Sequence, residues 1–152
     1  MPLCNPADLT RLLPPGARLI GLDYGTKTIG VAISDAALRV ASPMLVIRRR
    51  KFSQDMAELA KIVDSRGVGG FVVGLPLNMD GTEGPRAQST RDLVDEMLLR
   101  MNLPTIFQDE RMSTQAVERA MIGEADLSRA KRAKSIDAAA AAWILQGALD
   151  AL

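Results

Sequence analysis

The stretch R-L-I-G-L-D-Y-G-T-K-T-I-G-V-A-I-S, from Arg18 to Ser34, decides how the rest of the chain is read. Arg18 to Asp23 is a short apolar run closed by an acid, the signature of a buried strand. Tyr24 to Lys27 supplies a turn, with Gly25 as its conformationally permissive residue. Thr28 to Ser34 is a second apolar run, so the two strands predict a hairpin.

Working outward, residues 40–47 read as a third strand. Pro43 inside it has no N–H for a central ladder, which calls for an edge position or a bulge. Phe52, Met56, Leu59, Ala60 and Val63 recur at helical spacing, predicting a helix over 52–65 ended by Gly67, Gly69 and Gly70. Residues 70–75 (G-F-V-V-G-L) are a fourth, buried strand, and 76–85 (P-L-N-M-D-G-T-E-G-P) a loop in which Gly81 and Gly84 give mobility. A long helix over 86–101 and a fifth strand over 105–108 follow. Ser113 or Thr114 caps a helix over 115–122, residues 123–128 turn, and an alanine-rich helix covers 135–149. The order β-β-β-α-β-α-β-α-α describes an α/β fold. Its five-stranded mixed sheet has three antiparallel strands, then parallel ones, and is flanked by helices. In such sheets ligands collect at the carboxyl ends of the parallel strands.

Composition narrows the chemistry. The chain has 152 residues, 47% of them hydrophobic, enough for one domain with its own core. Residues 1–17 form a short N-terminal extension and 18–152 the domain itself. That extension carries Pro2, Pro6, Pro14, Pro15 and Asp8 and does not read as a secretory signal. No apolar run approaches the ~20 residues of a membrane span, so a cytoplasmic protein without membrane contact is expected. The single cysteine, Cys4, cannot form an internal disulfide and reads as a non-functional residue in a loose end. There is no histidine, which excludes the usual Ser-His-Asp and Cys-His nucleophiles and histidine-ligated zinc. A hydrolase built from this chain would rely on carboxylates, Lys, Arg, hydroxyls and hard cations such as Mg2+ or Mn2+. Net charge is +1, far from a general polyanion binder, yet Arg48–Lys51 and Arg129–Lys134 are local basic clusters. Such clusters are either solvated surface or phosphate contacts.

Three acids stand out. Asp23 closes the first strand before a glycine-containing turn, where it either serves a site or bonds its own turn. Asp109 and Glu110 end the fifth strand, followed by Arg111; they either form part of a site or favour the next helix N-terminus. Asp137 is read in the first turn of the last helix, where an acid stabilises the macrodipole. The small residues Ala138 to Ala142 would let that helix lie close to the sheet, so Asp137 can reach the strand ends. Ile144, Leu145 and Leu149 would bury its inner face, with Trp143 filling a core gap or groove. Two Mg2+ ions carry four positive charges, which three carboxylates and one phosphodiester roughly balance. In such sites the metals lie ~3.5–4 Å apart and clamp an in-line displacement.

Four motifs, in this order and at these separations, resemble the YqgF/RuvX family: G-L-D-Y-G-T-K-T-I-G-V-A (Gly21–Ala32), G-L-P-L-N-M-D-G (Gly74–Gly81), D-E-R-M-S-T (Asp109–Thr114) and S-I-D-A-A-A-A-A-W-I-L (Ser135–Leu145). The resemblance covers nearly all of residues 18–149. It implies a ribonuclease-H-like fold related to RuvC-type Holliday junction resolvases. It further implies a magnesium-dependent nuclease acting on branched DNA or on the 5′ end of precursor 16S ribosomal RNA. The family's acids map onto Asp23, Glu110 and Asp137 as catalytic and metal-holding residues. RuvC-type enzymes carry an acid at the fourth strand; Gly74, Leu75 and Pro76 stand there here, so Glu110 must supply it.

Gly25, Lys27, Asn78, Arg86, Arg111 and Lys134 are the candidate substrate contacts. Arg86 opens a helix whose N-terminus can bind phosphate. Aromatic residues are 3% of the chain, so recognition of nucleic acid should lean on phosphate and shape. Two other readings compete with the nuclease. Asp23–Thr26 also resembles the phosphate loop of actin-like ATPases, but 152 residues leave no room for their second lobe. A non-catalytic nucleic-acid-binding factor in ribosome maturation or transcription is the other. Resolving a junction symmetrically calls for a homodimer, whereas trimming rRNA can be done by a monomer.

Overall fold

The computed structural model describes residues 3–110 and 129–152, and the side chains of 3–110 and 136–152. The expected helix over 115–122, its Ser113 or Thr114 cap and Arg111 lie outside the described residues. The elements are α1 (Pro6–Leu12), β1 (Arg18–Tyr24), β2 (Thr28–Ser34), β3 (Ala41–Arg48), α2 (Phe52–Arg66), β4 (Val68–Leu75), α3 (Pro85–Arg100), β5 (Thr105–Asp109) and α4 (Arg129–Ala151). The sheet runs β3-β2-β1-β4-β5, with β1–β2 and β2–β3 antiparallel and β1–β4 and β4–β5 parallel. This is the mixed sheet expected from the hairpin and the strands after it, and the arrangement that the family resemblance implied.

Strand alternation divides the apolar residues between two cores. Ile20, Leu22, Tyr24, Ile29, Val31, Phe71 and Val73 point to α2 and α3, meeting Met56, Leu59, Val94 and Met97. Leu19, Ala32 and Val72 point the other way, to Ile144, Leu145 and Leu149 of α4 and Leu9 of α1. Each of these large side chains contributes about 1.5–3 kcal/mol on leaving water. Pro43 meets both expectations: β3 is an edge strand, and its register with β2 shifts beside Pro43.

The face covered by α4 is unusual in being lined by glycine. A Cβ on Gly21 would stand 2.7 Å from Leu145 Cβ and 2.8 Å from the Ala141 carbonyl. A Cβ on Gly30 would overlap the Asp137 carbonyl itself. The alanines of α4 complete the fit, with Ala138, Ala140 and Ala141 all buried. The helix backbone therefore lies directly on β1 and β2, as the alanine run suggested.

Four expectations need correction. The extension is not loose: Asn5 caps α1 by accepting from the Asp8 N–H at 2.9 Å, Leu9 is fully buried, and the Cys4 N–H donates to the Thr105 carbonyl at 3.0 Å. β4 begins two residues early, because Leu13, Pro14 and Ala17 fill the space beside Gly69. α4 begins at Arg129 rather than Ser135, so Asp137 lies well inside the helix and its place is not explained by the macrodipole. Trp143 is 56% exposed and fills no core gap.

Candidate active site at the sheet rim

Asp23 follows Leu19 and Gly21 along β1, so alternation carries it to the α4 face, near the carboxyl end of the strand. Two strands away, Glu110 comes directly after β5, its N–H donating to the Leu75 carbonyl at 3.3 Å. The Glu110 carboxylate folds over Gly74: a Cβ there would overlap it and the Ile144 side chain. The Glu110 carboxylate thus reaches across from the fifth strand to the fourth, where Gly74 makes the room.

The Asp23 and Glu110 carboxyls meet and share a hydrogen bond. Burial pushes the Asp23 carboxyl above its usual range; the Glu110 bond opposes this, the Asp137 charge reinforces it, and Arg86 opposes it. Burial, then the Asp23 charge and the shared bond, raise Glu110 to about 8, with Arg86 acting against the shift and Asp109 adding to it. Two buried carboxyls in contact therefore resist being ionised together. Glu110 Oε2 is buried and accepts no hydrogen bond from the described residues.

Asp137 approaches from α4. Its Oδ2 accepts a 2.8 Å hydrogen bond from Thr28 Oγ1, at the start of β2. Thr28, Gly30 and Ala32 share one face of β2: the first holds the Asp137 side chain and the second seats its backbone. Asp23 pairs with Gly30 in the β1–β2 register, which brings Asp137 close enough for its charge to act on Asp23. The three acids are thus gathered at one rim of the sheet, Asp23 and Glu110 touching and Asp137 tied to Thr28. Among the described residues no three acidic side chains form a ready-made metal cage.

The other candidates divide. Arg86, exposed in the first turn of α3, places its charge on both Asp23 and Glu110. Gly25 builds the turn: its N–H donates to the Thr28 carbonyl at 2.8 Å, and its carbonyl accepts from Arg49 at 2.7 Å. Lys27 is exposed on the same turn. Asn78 is engaged within its own loop, donating from Nδ2 to Thr82 Oγ1 at 2.9 Å. That loop forms a small hairpin held by its own hydrogen bonds. Leu77 bridges Glu83, Asp80 Oδ1 accepts from the Thr82 N–H and hydroxyl, and Arg91 clasps Glu83 through two bonds of 2.6 and 3.0 Å. Lys134 falls within α4, its side chain outside those described, as is Arg111.

Residues 17–151 match the family described as RuvX: Holliday junction resolvase. The chain belongs to that family. Among its relatives, a protein of Rhodospirillum rubrum provisionally named pre-16S rRNA nuclease is 53% identical over 152 residues, covering 100% of this chain and 94% of its own. A relative of Phenylobacterium zucineum with the same provisional name is 57% identical over 146 residues, covering 95% and 94%. Thermus thermophilus RuvC, solved in complex with a Holliday junction substrate, superposes with a TM-score of 0.54 at 13% identity, covering 89% of this chain and 94% of its own. A second structure of the Thermus protein gives 0.52 at 15% identity. These two likenesses establish the shared fold of this RuvX-family chain.

Thr28 and Gly74 escaped the sequence reading as site residues. For Thr28 a signal existed: it shares the β2 face of Gly30, at the end of the strand beside Asp23. Gly74 was visible only as the place of a missing acid.

Proposed function

We propose that this chain is a metal-dependent nuclease that hydrolyses phosphodiesters, with Asp23, Glu110 and Asp137 as its catalytic acids and the precursor of 16S rRNA as its substrate. The names of the 53% and 57% identical relatives support the substrate, and family membership supports the activity. The observation that carries the reading is the buried Oε2 of Glu110 beside Asp23, which has no hydrogen-bond partner among the described residues. A buried carboxylate oxygen without a donor is costly in a metal-free protein and natural as a ligand of a hard cation.

Asp23 and Glu110 would hold such a cation, with Asp137 completing the set. The donors are all oxygens, which suits Mg2+ or Mn2+. Such an ion supplies charge neutralisation at the phosphate and a water acidified enough to attack it, two ions being the common arrangement. The protein's own part is positional. Thr28 fixes the Asp137 rotamer, Gly74 admits the Glu110 carboxyl, and Arg86 offers a positive charge at the same rim. A cation held there would favour the ionised form of both carboxyls.

The test is cleavage of an RNA containing the 5′ end of precursor 16S rRNA, beside a four-way DNA junction, in Mg2+, Mn2+ or chelator. Wild type should cut the RNA only with metal, and Asp23→Asn should bind it without cutting. Binding without cleavage by the wild type in every metal would replace the nuclease with a binding factor. Cleavage of the junction alone would move the substrate to DNA.

A further inference from the structure

The basic run Arg48–Lys51 is not uniform. Arg48, Arg50 and Lys51 are exposed, whereas Arg49 is half-buried. Its backbone N–H donates to the Lys27 carbonyl at 2.9 Å, and its guanidinium donates to the Gly25 carbonyl at 2.7 Å. Arg49 is thereby held across the β1–β2 turn, with only part of its five-donor fork used.

Facing it across a cleft of about 90 Å3 is α3. The walls are Gly25, Thr26 and Arg49 on one side and Arg86 and Ser89 on the other, with Tyr24 and Leu93 as an apolar floor. A second, smaller hollow shares Tyr24, Arg49 and Leu93 and continues towards Arg50 and the start of α2. The cleft therefore lies at the carboxyl end of β1 but on the α2/α3 side, around the edge of the sheet from the acids. Arg86 belongs to both places, lining the cleft and acting electrostatically on Asp23 and Glu110.

The lining suits one chemistry. Two arginines from separate elements line it together with Thr26 and Ser89, and neither hydroxyl bonds to a described residue. Among the described residues no acid lines this cleft, and Asp55 lines only the adjoining hollow. The first turn of α3 contains no acid either, and its Gly84 cap offers no side chain to its N–H groups. The opening is shallow and charged, unlike a pocket for a base. Building on the nuclease reading, we infer that Arg49, Arg86, Thr26 and Ser89 form a second phosphate seat. It grips a non-scissile phosphodiester of the RNA strand, next to the one presented to the acids. The strand would then bend over Gly25, one phosphate on each side of the sheet's rim, so that the cleft sets which bond reaches Asp23 and Glu110.

The test uses the full chain in chelator, with a single-stranded RNA spanning the 5′ end of precursor 16S rRNA. Affinity is measured against salt, and a set of RNAs carries one neutral methylphosphonate at successive positions. Each phosphate contact on a single strand contributes a slope of about −0.7 in log K against log salt. Arg49→Gln and Ser89→Glu should each flatten the slope by about one contact. The wild type should weaken on one methylphosphonate beside the scissile position, and both variants should be indifferent to it. Arg49→Lys keeps the charge and should restore most of the slope. With magnesium present, both variants should spread cleavage to neighbouring bonds. Ser89→Glu, at an exposed position, guards against mistaking a loosened turn in Arg49→Gln for a lost contact. Unchanged slopes with the same methylphosphonate sensitivity in both variants would overturn the seat, even with cleavage intact. Altered slopes with no cleavage by the wild type would leave the seat standing and remove the nuclease reading.

Discussion

Thr28 Oγ1 donates a 2.8 Å hydrogen bond to Asp137 Oδ2, joining positions 109 residues apart in the chain. One end lies at the start of β2 and the other within α4, and the bond orients a carboxylate that would otherwise be free to rotate. Partners that orient a ligand typically affect metal affinity or activity by ~10–100-fold. Thr28→Val keeps the shape and removes the donor. It should lower metal-dependent cleavage within that range, while Thr28→Ser retains most of it. Steady-state cleavage titrated with Mg2+ measures both.

The raised Glu110 carboxyl gives the metal-free protein a characteristic pH response. Glu110 is raised from 4.5 to about 8, so the folded state binds its proton more tightly than the unfolded chain does. The stabilisation is complete below 4.5 and fades as pH rises through about 8. In chelator, Tm should therefore fall across this window, and Glu110→Gln should flatten the fall. Adding Mg2+ at the alkaline end should raise the wild-type Tm and leave that of Glu110→Gln nearly unmoved. A wild-type Tm that rises with pH over the same window would contradict the raised Glu110 carboxyl.

Gly30→Ala tests the seat of α4. Its Cβ would overlap the Asp137 carbonyl, so the helix must move off the sheet. Overpacking of this kind costs about 1–3 kcal/mol, and cleavage should fall further than stability because Asp137 is displaced. Gly16→Ala is the control. Gly16 has φ +78° with open space around it, so alanine there strains the backbone without touching the site. Denaturant melts and cleavage rates of the two variants should separate the effects.

Leu9→Ala asks whether α1 belongs to the core. Leu9 is fully buried among residues of β1, β4 and α4. Truncating a buried leucine costs about 2–5 kcal/mol. The loss should appear in equilibrium unfolding, whereas Trp143→Ala, at a 56% exposed position, should change stability by ~0.5 kcal/mol or less.

Much of this architecture was legible from residues 18–34 and the alternation after them, because strand runs separated by turn residues leave few topologies open. The starts of elements were less legible. Gly69 reads as a helix breaker before the strand, yet it lies in β4, where neighbouring side chains occupy the volume it leaves. α1 is seven residues long and lies among prolines, so its pattern is too short to read, although Asn5 before Pro6 is a sound start signal. Asp23 and Glu110 were legible one by one as strand-end residues, and Asp137 as a residue of the last helix. That Glu110 would lie over Gly74 and meet Asp23 was not, since it depends on three strands being neighbours in space. Trp143 went wrong because an aromatic beside Ile144 and Leu145 was assigned to their face, while helical geometry turns it outward.

Gly21, Gly30 and Gly74 share a property that no side chain could supply: each contributes by leaving a volume empty. A lock whose fit depends on hollows cannot be repaired by exchanging one filled shape for another. Mutational scanning of this chain should therefore find these three positions as unforgiving as the acids, though they carry no reactive atom. The deep intolerance would follow from where α4 and Glu110 must lie, in a part of the molecule that chemistry alone would pass over.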